Sequence, residues 1–198
     1  MSSVPSYLVF DFETSGLEPQ RDRIIQVGLC SVVNGAVTNR RGWLVRQNVA
    51  IHPEATQRHG LTMADLEAGG IAPRESLVAL LDAMREAPTC MGHNIHRFDI
   101  PFLRAECRRF DVRPPHCTDF IDTAALFKGW KLGERKGPGE TFEDYADRVL
   151  SRRVAGLRYA IPTCVTELRI TEDTSRLHDA SHDAYVTHLI FQALRRIL

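Results

Sequence analysis

The feature that most constrains this chain is an apolar segment near its start that ends in two acidic residues. The segment YLVFDFE carries Asp11 and Glu13 two positions apart, just before the turn-forming residues 14–17, TSGL. Side chains two positions apart on a β-strand point to the same face, roughly 6 to 7 Å from each other. Unpaired carboxylates are costly to bury. The segment therefore predicts a strand whose end presents both acids either to water at a surface turn or to a divalent cation.

The pattern of apolar segments predicts an α/β fold. Three strands, 7–13, 24–32 and 36–45, form an antiparallel meander whose second turn contains Asn-Gly at 34–35, a strong hairpin signal. After the third strand, segments with helical periodicity alternate with short apolar segments typical of strands. The predicted helices cover 73–86, 101–110, 142–151, 157–168 and 181 to the C-terminus, with short strands at 89–92 and 120–123 and an exposed loop at 128–140. This order indicates a mixed sheet with helices on both faces.

Composition narrows the class of protein. The length of 198 residues, 43% of them hydrophobic, suits one domain over residues 1–198. The 25 basic and 25 acidic residues balance, so any polyanion must be bound locally. No basic leader precedes an apolar segment, and no apolar run approaches ~20 residues, which predicts a soluble cytoplasmic protein without a membrane partner. Five cysteines without a C-x-x-C pair argue against disulfides and structural zinc.

Two later segments place acids at the start of predicted helices. They are HNIHRFD at 93–99, which ends in Asp99, and HDASHD at 178–183, which ends in Asp183. Either acid alone is consistent with a carboxylate favoured by the helix dipole. Asp119 and Asp122 are assigned instead to ordering the strand and turn near Thr123.

Taken together, DFETSGL, HNIHRFD and HDASHD resemble the three motifs of the DEDDh family of DnaQ-like 3′-to-5′ exonucleases. The resemblance implies a ribonuclease H-like five-stranded sheet. The three residues between Asn94 and Phe98 are similar to the spacing in TREX-type exonucleases. By this resemblance the catalytic set is Asp11, Glu13, Asp99, His178 and Asp183.

The same resemblance implies two divalent ions, Mg²⁺ or Mn²⁺, about 4 Å apart. Asp11 bridges them, Glu13 and Asp183 hold the ion that activates water, and Asp99 acts through solvent or on the substrate side. A histidine whose ordinary pKa is near 6.5 can accept a proton at neutral pH, so His178 is the predicted general base. Five helical positions correspond to a rotation of about 140°, so His178 must lie in the loop before the helix to approach Asp183.

The remaining predicted site residues face the substrate. By the same resemblance, Thr14 and Leu17 are expected to contact the terminal nucleotide, although Leu17 is equally consistent with core packing. Asn94 is included among the substrate residues, although ordering the turn before Asp99 is its favoured role. His182 lies four positions after His178, the spacing of a zinc-binding pair. A packed or solvated neighbour is the favoured interpretation of His182, because no third ligand is evident.

These observations predict a metal-dependent exonuclease that releases nucleoside monophosphates from nucleic-acid 3′ ends. Single-stranded DNA or frayed DNA ends are favoured over RNA. The alternatives are an exoribonuclease that trims small RNAs, and a nucleic-acid or protein binding module without turnover. The sequence ends soon after its last predicted helix, which favours a self-standing enzyme without a polymerase-binding tail, and leaves the choice between a monomer and a homodimer open.

Overall fold

A mixed five-stranded sheet organises the computed structural model, which describes residues 6–114 and 119–198. The strands are β1 (Tyr7–Thr14), β2 (Ile24–Val33), β3 (Ala36–Leu44), β4 (Cys90–Gly92) and β5 (Ile121–Asp122). Their order across the sheet is β3-β2-β1-β4-β5. The first three strands are antiparallel, whereas β4 is parallel to β1 and β5 is parallel to β4. The predicted fold class and meander are confirmed.

Eight α-helices are connected to this sheet within the described parts of the chain. They are α1 (Pro53–His59), α2 (Met63–Gly69), α3 (Pro73–Glu86), α4 (Asp99–Arg109), α5 (Thr123–Leu132), α6 (Phe142–Ser151), α7 (Ile161–Glu167) and α8 (Ala180–Leu194), with a 3₁₀ turn at Thr174–Arg176. Within residues 6–114 and 119–198, no helix has the length and apolar character needed to cross a bilayer.

The two faces of β1 pack against different helices. Leu8 and Phe10 lie in a core cluster with side chains of α3 and α4, whereas Tyr7 and Val9 pack against α8. Because side chains alternate along a strand, Asp11 continues the face that carries Tyr7 and Val9. The first acidic motif is thereby directed towards α8.

Three sequence predictions about helices were wrong. The segment 128–140 is not an exposed loop throughout, because α5 continues to Leu132 and Lys128 is buried. The Lys128 ammonium donates to the carbonyl of Leu150 at 3.0 Å, so a residue expected in solvent instead ties α5 to the end of α6. Helix α7 begins at Ile161 rather than near 157, and the seven-residue helices α1 and α2 were not predicted.

The cysteines agree with the predicted absence of a disulfide framework wherever the structure describes them. Cys30, Cys90, Cys107 and Cys164 are buried, and none of these four forms a disulfide. Cys117 lies outside the described residues.

Gly28 allows α8 to approach β2 closely. A Cβ atom at this position would lie 2.0 Å from the carbonyl carbon and oxygen of Ala180. On the same strand, the Gln26 side-chain oxygen accepts a hydrogen bond from the Ala180 amide at 3.1 Å. The start of α8, which carries the third acidic motif, is therefore positioned by β2.

Gly28→Ala is expected to push α8 away from the sheet and to lower the melting temperature by roughly 3 to 10 °C, the range expected for overpacking in a domain of this size. Gly69→Ala is the matched control, since its Cβ would meet nothing closer than 3.7 Å. Thermal unfolding of both variants tests the prediction. Equal melting temperatures for the two would contradict it.

Candidate active site

Asp11 and Glu13 lie on β1 opposite Gly28 and Gln26 of β2. Glu13 is buried and Asp11 is half-buried. Within residues 6–114 and 119–198, neither carboxylate accepts a hydrogen bond that would compensate for its lost hydration. Such carboxylates are well suited to a bound cation.

Asp99 reaches the same region from the first residue of α4. One of its carboxylate oxygens accepts a hydrogen bond from the Phe12 amide at 3.0 Å. Strand β4 pairs with β1 only at Leu8 and Val9, so the Phe12 amide lies beyond the reach of the neighbouring strand. Asp99 takes the place of the missing ladder partner, and this contact brings the second motif to the first.

His178 and Asp183 are brought together by the turn that precedes α8. The helix begins at Ala180, so His178 lies in the preceding loop, as the sequence predicted. Its backbone has a left-handed φ of 76°, and its amide donates to a carboxylate oxygen of Asp183 at 3.2 Å. The other Asp183 oxygen, Oδ1, is buried and has no hydrogen-bond partner among residues 6–114 and 119–198.

The ligand atoms of Glu13, His178 and Asp183 all lie within 4.8 Å of one another. Two of the five predicted catalytic residues, Asp11 and Asp99, do not belong to this compact group. Asp11 shares a strand face with Glu13, and Asp99 contacts the backbone between them. The structure thus brings all three motifs to one end of β1.

The protonation of the acids reflects their crowding. Burial, followed by the charges of Asp99 and Asp183, raises the pKa of Asp11 well above its ordinary value. Burial, followed by the charge of Asp183, raises the pKa of Glu13 to about 8. Burial raises the pKa of Asp183 to about 6, and burial also raises the pKa of Asp99 well above its ordinary value. A cation bound among these groups would relieve their repulsion.

Without divalent ions, the free energy of unfolding is expected to fall as pH rises from about 5 to about 8. The folded state retains protons on Glu13 and Asp183 with pKa values of about 8 and about 6, whereas the unfolded chain releases them near pH 4. Stability is therefore highest at the acidic end and is lost as pH rises through the folded-state values. A divalent ion at about 100 times its Kd adds ~2.7 kcal/mol, or roughly 5 to 10 °C.

Melting curves in EDTA and in Mn²⁺ at pH 5.5 and 8 check this prediction. Glu13→Gln, which cannot ionise, is expected to flatten the EDTA profile. A wild-type melting temperature that rises between pH 5.5 and 8 in EDTA would show that the carboxylates do not repel one another in the folded state.

Arg58 is a residue of this site that the sequence reasoning missed. Its Nε donates to Nδ1 of His178 at 3.4 Å. Its positive charge opposes the rise in the pKa of Glu13 that burial and Asp183 cause. The residue lies near the end of α1, where Pro53 occupies the first turn and Gly60 follows the helix with a φ of 75°. Proline at the start and glycine after the end were the available signal for this short helix.

The predicted substrate residues differ in their exposure. Leu17 is 76% exposed, so the core-packing alternative was wrong. Thr14 is buried, and its hydroxyl donates to the Gly16 carbonyl at 2.7 Å. Asn94 has a left-handed φ of 61° and its backbone amide donates to a carboxylate oxygen of Asp122 at 2.9 Å, so it occupies a turn before Asp99. Their contacts with a nucleotide stay predictions.

The residues excluded from the site have structural partners. Asp122 caps α5 by accepting from the Ala124 amide at 2.9 Å, and Asp119 accepts from the Phe142 amide at 2.6 Å. The buried His182 ring donates from Nε2 to the Asp173 carbonyl at 2.8 Å. His182 is a packed neighbour, and it does not belong to the compact ligand group that contains His178.

The fold and these three converging motifs define the class of protein. Residues 8–191 match the family model RNase_T, described as exonuclease, and the chain belongs to this exonuclease family. Its DnaQ-like character, predicted from the motifs, is confirmed, whereas the DEDDh subtype and the TREX-like spacing stay predictions.

Two curated relatives illustrate the family. The chain is 31% identical over 138 residues to the 3′-5′ exonuclease DinG of Bacillus subtilis, an alignment that covers 65% of this chain and 14% of the relative. It is 25% identical over 186 residues to a PolC-type DNA polymerase III of Mycoplasma pneumoniae, which covers 94% of this chain and 11% of the relative. The chain therefore spans only a small part of the length of these proteins.

The solved structures show the same fold. E. coli exonuclease I in complex with a dA16 oligonucleotide superposes with a TM-score of 0.77 at 18% identity, covering 97% of this chain and 41% of that one. A zinc-bound form of the E. coli enzyme with single-stranded DNA gives a TM-score of 0.73 at 18% identity, with 98% and 41% coverage.

Proposed function

We propose that this chain is a 3′-to-5′ exonuclease that uses two divalent ions to release nucleoside monophosphates from nucleic-acid 3′ ends. The observation that carries the proposal is the convergence of Glu13, His178 and Asp183 within 4.8 Å, next to Asp11 and Asp99 on the same strand end. The single sheet, with its associated helices reaching Leu194, supports one exonuclease domain.

The donor set fits divalent ions. Carboxylate oxygens are the ligands that Mg²⁺ and Mn²⁺ prefer. Within the described parts of the chain, Asp183 Oδ1 is buried without a hydrogen-bond partner, which leaves it available to a cation. When bound, a pair of such ions activates water and stabilises the departing 3′ oxygen. Asp11, Glu13, Asp99 and Asp183 are the residues proposed to hold them.

Two further residues are proposed to act on protons and charge. Burial and the neighbouring Arg58 charge lower the pKa of His178, which keeps its imidazole neutral and able to accept a proton from the attacking water. Arg58 itself is exposed, and its guanidinium can pair with a phosphate oxygen of the substrate. Leu17, which is exposed beside the same strand end, offers an apolar surface to the terminal base.

DNA is the proposed substrate. The related DinG carries the name of a 3′-5′ exonuclease, and structures of E. coli exonuclease I contain dA16 or dT13. These descriptions apply to the related proteins, and by similarity they support a single-stranded or frayed DNA end as the substrate of this chain. Trimming of small RNAs is the alternative, because recognition of the 2′ hydroxyl depends on the pocket around the terminal sugar.

A gel assay tests the proposal. Single-stranded DNA and RNA of equal sequence, labelled at the 5′ end, are incubated with the protein and Mg²⁺, Mn²⁺ or EDTA. A ladder that shortens from the 3′ end with either metal and is absent in EDTA is expected, with DNA cut faster than RNA. Faster cutting of RNA would assign an exoribonuclease, and no cutting of either would assign a binding module.

A further inference from the structure

A basic cleft of about 700 Å³ opens beside the second motif. We define the basic cleft by Arg97, which precedes α4, by Lys128 of α5, and by residues 150–155, Leu157 and Tyr159 at the end of α6 and after it. Arg152 and Arg153 belong to the last segment. Among the residues that the structure describes, four cationic side chains and no carboxylate line this cleft, although the chain as a whole has a formal net charge of zero.

The four cations have different partners. Lys128 donates to the backbone carbonyls of Leu150 and Arg152, so it holds the end of α6. Arg152 forms an ion pair with Glu134 outside the cleft. Within the described parts of the chain, the Arg97 guanidinium donates only to the hydroxyl of Ser151, at 3.4 Å, and Arg153 has no hydrogen bond or ion pair. Two exposed guanidinium groups are thus free of any neutralising carboxylate.

The basic cleft and the active site share one segment of backbone. Arg97 lies two positions before Asp99. Tyr159, on the other wall of the cleft, accepts a hydrogen bond at its carbonyl from Nε2 of His93 at 2.7 Å. His93 follows directly after β4 and begins the second motif. An anion in the cleft would therefore lie next to the loop that positions Asp99.

The cleft also has apolar surface. Val154 is 38% exposed, and Leu157 and Tyr159 are partly exposed. Single-stranded nucleic acid is bound by grooves that combine cations for the backbone with apolar or aromatic surface for the bases. A free inorganic anion would use only the cations.

We infer that the basic cleft binds the phosphodiester backbone of the same strand whose 3′ end enters the active site, a few nucleotides upstream of that end. This inference rests on the proposed exonuclease function. Arg97 and Arg153 supply the phosphate contacts, while Val154 and Leu157 contact the bases. Lys128 shapes the cleft and contributes charge from beneath.

Binding of fluorescent dT20 and dT3 in EDTA, followed by anisotropy, tests this inference. In the double variant Arg97→Ala/Arg153→Ala, dT20 is expected to bind about 10-fold or more weakly at low salt. The slope of log Kd against the logarithm of the salt concentration should decrease by about 1.4, the value for two lost phosphate contacts to a single strand. Binding of dT3, which is too short to reach both sites, is expected to change little.

Arg85→Ala/Arg196→Ala is the matched control. Arg85 lies in the last turn of α3, and Arg196 follows α8 about 20 Å along the helix from Asp183. Arg85 pairs with Asp82 on the surface, so its loss should cost little stability. Both double variants should melt within about 2 °C of the wild type, and the control should bind dT20 normally.

A second readout separates this inference from the proposed function. With Mn²⁺, hydrolysis of the p-nitrophenyl ester of thymidine 5′-phosphate should be equal in wild type and Arg97→Ala/Arg153→Ala, because this substrate has no upstream strand. Hydrolysis together with unchanged dT20 binding in the variant would overturn the strand-binding role of the cleft and support the exonuclease function. Weakened dT20 binding in the variant, without any hydrolysis by the wild type, would support the strand-binding role of the cleft and overturn the proposed exonuclease function. Displacement of dT20 by equal amounts of free dTMP or inorganic phosphate would overturn the strand assignment.

Discussion

Asp11→Ala is expected to slow nucleotide release from single-stranded DNA by at least about 10³-fold and to remove most of the stabilisation by Mn²⁺. Asp11 is half-buried, and burial together with the charges of Asp99, Asp183 and Glu13 raises the pKa of its carboxyl group. Losing it removes the proposed bridge between the two ions. Rates from the gel assay and melting temperatures with and without Mn²⁺ measure both effects.

Misfolding would have a different signature from loss of the metal. Removing a carboxylate that repels its neighbours should leave the melting temperature in EDTA at pH 8 equal to that of the wild type or above it. Asp82→Ala, which removes an exposed carboxylate on α3, is the control and should keep both activity and metal response. A wild-type Mn²⁺ shift in Asp11→Ala would exclude Asp11 from the metal site.

His178→Ala is expected to lower the rate by roughly 10² to 10⁴ while it preserves stabilisation by Mn²⁺. The reason is that a general base supplies proton transfer and no part of the metal affinity. The test distinguishes a general base from a metal ligand, because the imidazole lies within 4.8 Å of the ligand atoms of Glu13 and Asp183. If His178 is instead a metal ligand, the Mn²⁺ shift will fall along with the rate.

The pH profile provides a second measurement on the same variant. The wild-type rate should rise as pH increases through the pKa of His178, because the base must be unprotonated. Burial and the Arg58 charge place this pKa below its ordinary value of 6.5, so the midpoint of the rise should lie below that pH. His178→Ala should lack this acidic limb. His52→Ala, an exposed histidine paired with Asp22, should retain the wild-type profile.

Much of the architecture followed from local patterns. The alternation along 7–13 and the Asn-Gly turn are short-range signals, and the meander they predicted is present. The five-residue spacing of His178 and Asp183 also sufficed to predict that the histidine precedes the helix. These predictions depend on the periodicity of a strand or helix, which few neighbouring residues determine.

The errors fall where distant contacts override local pattern. The Gly- and Lys-rich composition after Lys128 favoured a loop, but α5 is extended because Lys128 can cap α6 and Phe127 packs against α8. Helix α1 is seven residues long with no buried side chain, so it had no amphipathic pattern to find. That helix carries Arg58, which explains why an active-site cation was missed.

The sequence by itself indicated most of the chemical groups of the candidate site, because three short motifs supply four carboxylates and a histidine, whereas the Arg58 guanidinium was missed. Only the tertiary structure decided how they meet. Gly28 admits α8 against β2, Asp99 replaces a missing ladder partner on β1, and Arg58 lies on a short helix whose terminal proline and glycine do not indicate its place in the fold. The physical reason is that these contacts join residues dozens to more than one hundred positions apart, whose proximity depends on packing of the whole sheet.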